Sequence, residues 1–90
     1  MQVSISISPS QVNLGEPVTV TYSSTGADDT QINADNLFNP IDLGSGDQSG
    51  TIKLLPLVSG SFSVSIIGSL FFNGSGPIGN QQMTASCQVN

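Results

Sequence analysis

Leu54–Phe72, LLPLVSGSFSVSIIGSLFF, holds no charged residue and consists almost wholly of apolar and small side chains. A membrane-spanning helix needs about twenty predominantly apolar residues in succession. Here Pro56, Gly60 and Gly68 interrupt the run, and serine recurs at every second position through Ser61, Ser63 and Ser65. Within SFSVSI, Phe62, Val64 and Ile66 therefore share one face and the serines the other, which is the period of a half-buried strand. Ahead of Pro56, TIKLL sets Ile52 and Leu54 on one face and Lys53 on the opposite one. The stretch reads as two strands linked by the turn LVSG, not as a membrane span.

The same alternation runs through the rest of the chain. QVSISISPS places Val3, Ile5 and Ile7 on one face against serines, and EPVTVTYSS places Val18, Val20 and Tyr22 inward with Thr19 and Thr21 outward. QQMTASCQV sets Met83, Ala85, Cys87 and Val89 against Thr84, Ser86 and Gln88. A weaker strand is expected from Thr30 to Ala34, with Thr30, Ile32 and Ala34 inward, and a short edge strand within Leu37–Leu43, where Pro40 blocks regular pairing. The clusters NLGEP, STGADD, GSGDQSG, VSG and NGSGPIGN supply turns between them. No window carries a capped apolar repeat of 3.6 residues, so no helix is expected. Six or seven short strands with turn signals about every ten residues predict an all-β fold, an antiparallel sandwich of about seven strands. Residues 1–90 read as a single domain with one core.

Composition narrows the functional classes. Only 8% of the residues are charged, and one Lys stands against six acids, a formal net charge of −5. A phosphate-binding surface needs several Lys or Arg side chains, so neither nucleic acid nor an anionic membrane surface is an expected partner, and no membrane insertion is expected. There is no His and no Arg, and Cys87 is the sole cysteine, so the usual nucleophile–base pairs and an internal disulfide are both out of reach. The chain is not expected to be an enzyme. MQVSISISPS lacks the basic start and unbroken apolar stretch of a signal peptide, so an export signal would lie outside this chain. Met1 leading straight into a strand fits a domain cut from something longer.

SPSQVNLGEPVTVTYSSTGA resembles the first third of bacterial and phage immunoglobulin-like modules of the PKD or Big type: a small-residue lead-in, a Gly, a Val-x-Val-x-aromatic strand and a polar turn. SGTIKLLPLVSGSFSVSIIGS resembles their second half, and MTASCQVN looks like the closing strand, so the likeness spans nearly the whole chain apart from Asp35–Asp47. It departs at Tyr22, where many relatives carry Trp, at Phe62, where Tyr is common, and in lacking paired cysteines. The Gly68–Asn80 connection is also longer than a hairpin of this kind needs. The resemblance implies an immunoglobulin-like sandwich with Val18, Val20 and Tyr22 packed on Ile52, Leu54, Phe62, Val64 and Ile66. It also implies a non-catalytic module of an exported, cell-surface or virion protein. Such a module acts as a spacer or an adhesion and assembly domain, and its partners are neighbouring domains of the parent chain and protein or glycan ligands.

Three groups of residues are candidates for more than structure. Phe38, Phe71 and Phe72 are candidates for an exposed apolar or sugar-stacking patch, because Phe71 and Phe72 as strand neighbours cannot both face one core. This is the alternative reading, a carbohydrate-binding module. Asp28, Asp29 and Asp35 are candidate oxygen ligands for Ca²⁺, against the default of solvated turn acids and no cofactor. Cys87, inward on its strand and with almost no positive charge in the chain, reads as a small buried hydrophobe rather than a reactive thiol. Asn73 begins an N-G-S glycosylation sequon, but N-G is equally a turn signal.

Overall fold

The computed structural model describes residues 1–71 and 77–90. They form eight strands: β1 Gln2–Ser8, β2 Gln11–Val12, β3 Val18–Thr25, β4 Asp29–Ala34, β5 Ile41–Gly44, β6 Gln48–Leu54, β7 Gly60–Phe71 and β8 Pro77–Val89. Two sheets pack as a sandwich, one of three strands in the order β1-β3-β6 and one of five in the order β2-β8-β7-β4-β5. All pairings are antiparallel except β2 with β8, where Gln11 and Val12 run alongside Gln88 and Val89. Among the described residues there is no helix, and hence none long and apolar enough to cross a membrane. The opening stretch is the end of β6, a loop and β7.

Alternation explains which faces meet. Val18 and Val20 of β3 and Ile32, Val64 and Ile66 of β4 and β7 are fully buried, with Val3, Val12, Phe62, Cys87 and Val89 completing the core. Two expectations need correction. Ile52 and Leu54 do not face the β3 residues across the sandwich; they flank them in the same sheet, Ile52 beside Val20 and Leu54 beside Val18. Alternation tells which face a side chain takes but not which strand lies alongside, and the 55–59 link carries the chain from one sheet to the other instead of closing a hairpin. Tyr22 is only half-buried, because its neighbour on β6 is Gly50 and its hydroxyl lies over that glycine, 2.9 Å from where a Cβ would stand.

The expected count of about seven strands becomes eight because the first strand is split. β1 pairs with β3, the chain passes through Pro9 and Ser10, and β2 joins the other sheet. The Ser8–Pro9 peptide is cis. The other large difference is the Gly68–Asn80 segment. Its described residues are strand: β7 and β8 pair through Gly68↔Gln81, Ser69↔Asn80 and Leu70↔Gly79, and the register then shifts by one at Leu70/Phe71, so that Phe71 pairs with Pro77. Gly, Asn and Pro in residues 77–80 look like a turn in sequence, yet an edge strand tolerates all three because few of its groups need pairing on both sides. Met83 lies opposite Ile66 and so takes the inner face as expected, yet it is 49% exposed, because at that level β8 is the last hydrogen-bonded strand of its sheet.

A polar bridge joins the two sheets. The Thr30 hydroxyl on β4 donates to the Ser24 hydroxyl on β3 at 2.9 Å, and neither residue is exposed at all. Truncating one partner leaves the other hydroxyl buried and unpaired, whereas replacing both removes the problem. Ser24→Ala is expected to cost about 1–3 kcal/mol, and the Ser24→Ala/Thr30→Val pair clearly less than the two single changes summed. Urea midpoints of the four proteins check this, and simple additivity would rule the bridge out.

Candidate functional site

The molecule is elongated, with principal extents of 46 × 21 × 15 Å. Its two ends differ in chemistry. At one end Met1 lies against Gly26 and Gly68, the Asp47 carboxylate accepts the Gly26 N–H at 2.9 Å, and Asp28 accepts the Phe71 N–H at 2.8 Å. At the other end the Leu14 N–H donates to the Asn90 carbonyl at 2.9 Å, Gly60 pairs with Val89, and the Asn36 amide donates to the Leu55 carbonyl at 2.6 Å. Those contacts tie together the loops 13–17, 35–40 and 55–59. Leu14, Phe38, Leu55, Leu57 and Val58 all stand exposed on them, Phe38 completely so at 99%.

The structure separates the candidate aromatics. Phe38 follows the end of β4 where Ala34 pairs with Val64, and Phe71 lies past the opposite end of β4, beyond Ser69↔Asp29. The seven residue steps along β7 from Val64 to Phe71 correspond to about 24 Å of strand. Phe38 and Phe71 therefore cannot form one flat platform. Phe71 is 40% exposed. Phe72 and Asn73 lie outside the described residues.

The candidate metal ligands are likewise divided. Asp28 and Asp29 stand at the start of β4 and Asp35 just past its end, about 20 Å of strand away. Each end carboxylate serves the backbone of β7: Asp28 through Phe71 and Asp35 through the Ser63 N–H at 2.8 Å, with the Asp35 N–H returning a bond to the Ser63 carbonyl. Among the described residues no three acidic, His or Cys side chains gather as a metal would need. These acids act as caps that hold strand ends, a role that turn-forming Asp takes readily.

Asp29 instead meets Asp42 of the adjacent strand β5, a neighbour that its place in the sequence does not reveal. Burial, then the hydrogen bond and like charge of Asp42, raise the Asp29 carboxyl above its ordinary 3.8, and the Thr30 N–H opposes them. The native state then holds this proton more tightly than the unfolded chain. The associated stabilisation is complete below the ordinary value and lost as the pH rises through the raised one. Asp42 also accepts the Gly44 N–H at 2.9 Å, a bond that an Asn amide oxygen can keep. Asp42→Asn is therefore expected to raise stability near neutral pH, by less than about 1 kcal/mol for so shallow a pair, and to lose that gain in acid. Urea midpoints in neutral and acid buffer measure it, and an equal effect in both would dismiss the coupling.

Cys87 sits buried opposite Phe62, and burial pushes its thiol up, away from the thiolate that reacts. The hydroxyl ladder on the outer face was not anticipated. Ser63 and Ser86 lie 3.0 Å apart, and Ser65 and Thr84 2.8 Å apart, on adjacent strands. The alternating serines signalled a solvent face, and only the register shows that they pair.

Set against protein-family models, curated proteins and solved structures, the chain gives no significant match in any of the three comparisons.

Proposed function

We propose that this chain is a non-catalytic immunoglobulin-like module of an exported, cell-surface or virion protein, serving as a spacer and assembly domain. The observation that carries this reading is the apolar end. Five large exposed hydrophobic residues, Leu14, Phe38, Leu55, Leu57 and Val58, stand on three loops at the same end of a body 46 Å long, the end that also holds Asn90. Grouped exposed apolar side chains mark a contact surface, whereas scattered ones do not. A rigid body with Met1 at one tip and Asn90 at the other suits holding its neighbours apart while the apolar tip seats against one of them.

Strand order supports the immunoglobulin-like part. The first strand is shared between the sheets, the three-stranded sheet takes β1, β3 and β6, and the larger sheet takes β8, β7, β4 and β5. Lettered along the chain, that is the A-B-E and G-F-C division of such sandwiches. The non-catalytic part is supported by the residue inventory: no His, no Arg and one buried thiol.

Among the described residues Phe38 and Phe71 stand at opposite ends, so the glycan reading draws on one or the other and not on both together. An amide-shift NMR titration of the labelled domain with a panel of polysaccharides, followed by Ca²⁺, separates the two readings. The expected spectrum is unchanged throughout. Saturable shifts clustered around Phe38 or within Gly68–Asn80 would replace the spacer with a carbohydrate-binding module, and shifts confined to Gly26–Asn36 on adding Ca²⁺ would restore the metal site.

A further inference from the structure

The charged residues of this chain occupy only part of its length. Residues 1–15 and 54–90 contain no Asp, Glu, Lys or Arg. In the fold this means that β1, β2, β7 and β8 carry no charged side chain, while Asp29, Asp42 and Lys53 lie on β4, β5 and β6. The sandwich therefore has one charged flank, formed by the β5 and β6 edges, and one neutral flank, where the β1 edge packs beside β8.

Sheet edges present unpaired N–H and C=O groups, and proteins normally guard them with charge, proline, bulges or brevity. The charged flank is guarded in each of these ways. β5 has four residues, follows Pro40, carries Asp42 and is bulged against β4, and β6 carries Lys53. The neutral flank is not. β8 runs thirteen residues, and β2 covers only Gln88 and Val89, so from residue 78 to residue 87 no strand is hydrogen-bonded on its outer side, with β1 of the other sheet packed close beside it. Among the described side chains of that range, Asn80, Gln81, Gln82, Met83, Thr84 and Ser86 are exposed.

We infer that this neutral flank is where a second copy of the chain pairs, β8 antiparallel to β8 about a twofold axis, continuing the five-stranded sheet. A strand edge calls for another strand's backbone, and an antiparallel edge is complementary to itself. With a net charge of −5, two copies repel on most approaches, and the neutral flank is the approach that keeps the acids of both away from the contact. A copy also matches both edges of the flank, setting its β1 beside β1, whereas a single extended peptide would satisfy β8 only. The Ser65–Thr84 and Ser63–Ser86 hydroxyl pairs on the outer face can continue across such a joint without burying charge. This pairing is independent of the spacer role, since a monomeric spacer and a paired one share every feature that supports it.

Sedimentation equilibrium from about 1 µM to about 1 mM, a span covering weak and moderate association, tests the pairing. The average mass is expected to rise from 9.2 kDa toward twice that value. Met83→Lys, a half-exposed edge position, brings two like charges together across the axis and is expected to weaken dimerisation at least about tenfold, whereas Asp42→Lys on the opposite flank leaves it intact. Amide exchange on the unmodified protein reads the same surface without mutation: amides within 78–87 gain protection at the higher concentration. A protein that stays monomeric across the range overturns the inference. So does a dimer whose protection falls on β5 or β6, or one that tolerates Met83→Lys in a folded protein.

Discussion

Ile66→Ala is expected to destabilise the domain by about 3–4 kcal/mol, near the upper middle of the range for large-to-small changes in a core. Ile66 is fully buried on β7, beside Ile32 of β4 in the five-stranded sheet, and Ile32 is itself fully buried. Removing three carbons there forfeits their transfer free energy and leaves a hole that two hydrogen-bonded strands cannot close by shifting. A chain of ninety residues has about 5–13 kcal/mol of total stability at ordinary values per residue. One substitution thus removes a quarter or more of it. The denaturation midpoint should fall with the slope unchanged. A loss under about 1 kcal/mol would mean that this part of the sandwich is not packed as described.

Gly68→Ala is the second large effect, and it has the opposite cause. A Cβ on Gly68 would stand 2.9 Å from the Val3 Cγ1, 3.2 Å from the Met1 sulfur and 3.4 Å from the Ala27 Cβ. The first distance is closer than side-chain carbons tolerate, so β1 must move away from β7. Alanine also restricts the unfolded chain, a gain of about 0.4–1 kcal/mol, but overpacking a tight contact costs about 1–3 kcal/mol and wins. The clash names its own rescue. In Val3→Ala the offending methyl is gone, so Gly68→Ala should cost distinctly less in that background than in the unaltered protein. Equal costs in the two backgrounds would show that β1 does not approach β7 here.

These two sites also show what a sequence discloses. Ile66 announces itself, because SFSVSI alternates cleanly and a strand period of two assigns each residue a face. Val18, Val20, Phe62, Val64 and Cys87 follow by the same logic, and all are buried. Gly68 does not announce itself, since a glycine in a strand gives no hint of which side chain crosses over it. The same limit hides the partners of Asp29 and of Gly50, which depend on register. Thr30 falls inward by the same alternation, as it does in the fold, but Ser24 escapes for another reason: a serine beside a turn reads as outward, and it becomes interior because the Thr30 hydroxyl satisfies it. The candidate site suffered most. Asp28, Asp29 and Asp35, near in sequence, are held apart by the length of β4, and Phe38 and Phe71 by the length of β7. Leu14, Phe38 and Leu57, far apart in sequence, arrive at one tip.

The short parallel rung between β2 and β8 governs how the chain reaches this structure. Gln11↔Gln88 and Val12↔Val89 join residues separated by almost the entire polypeptide. Closing so large a loop costs entropy before any contact compensates, and a fold built from such distant pairings assembles in milliseconds to seconds rather than microseconds. During that interval the outer edge of β8 at Gln88 and Val89 lies uncovered, and β7 and β8 carry no charge to keep chains apart. The speed with which the two ends of the chain find each other therefore sets the window in which this protein is exposed to aggregation.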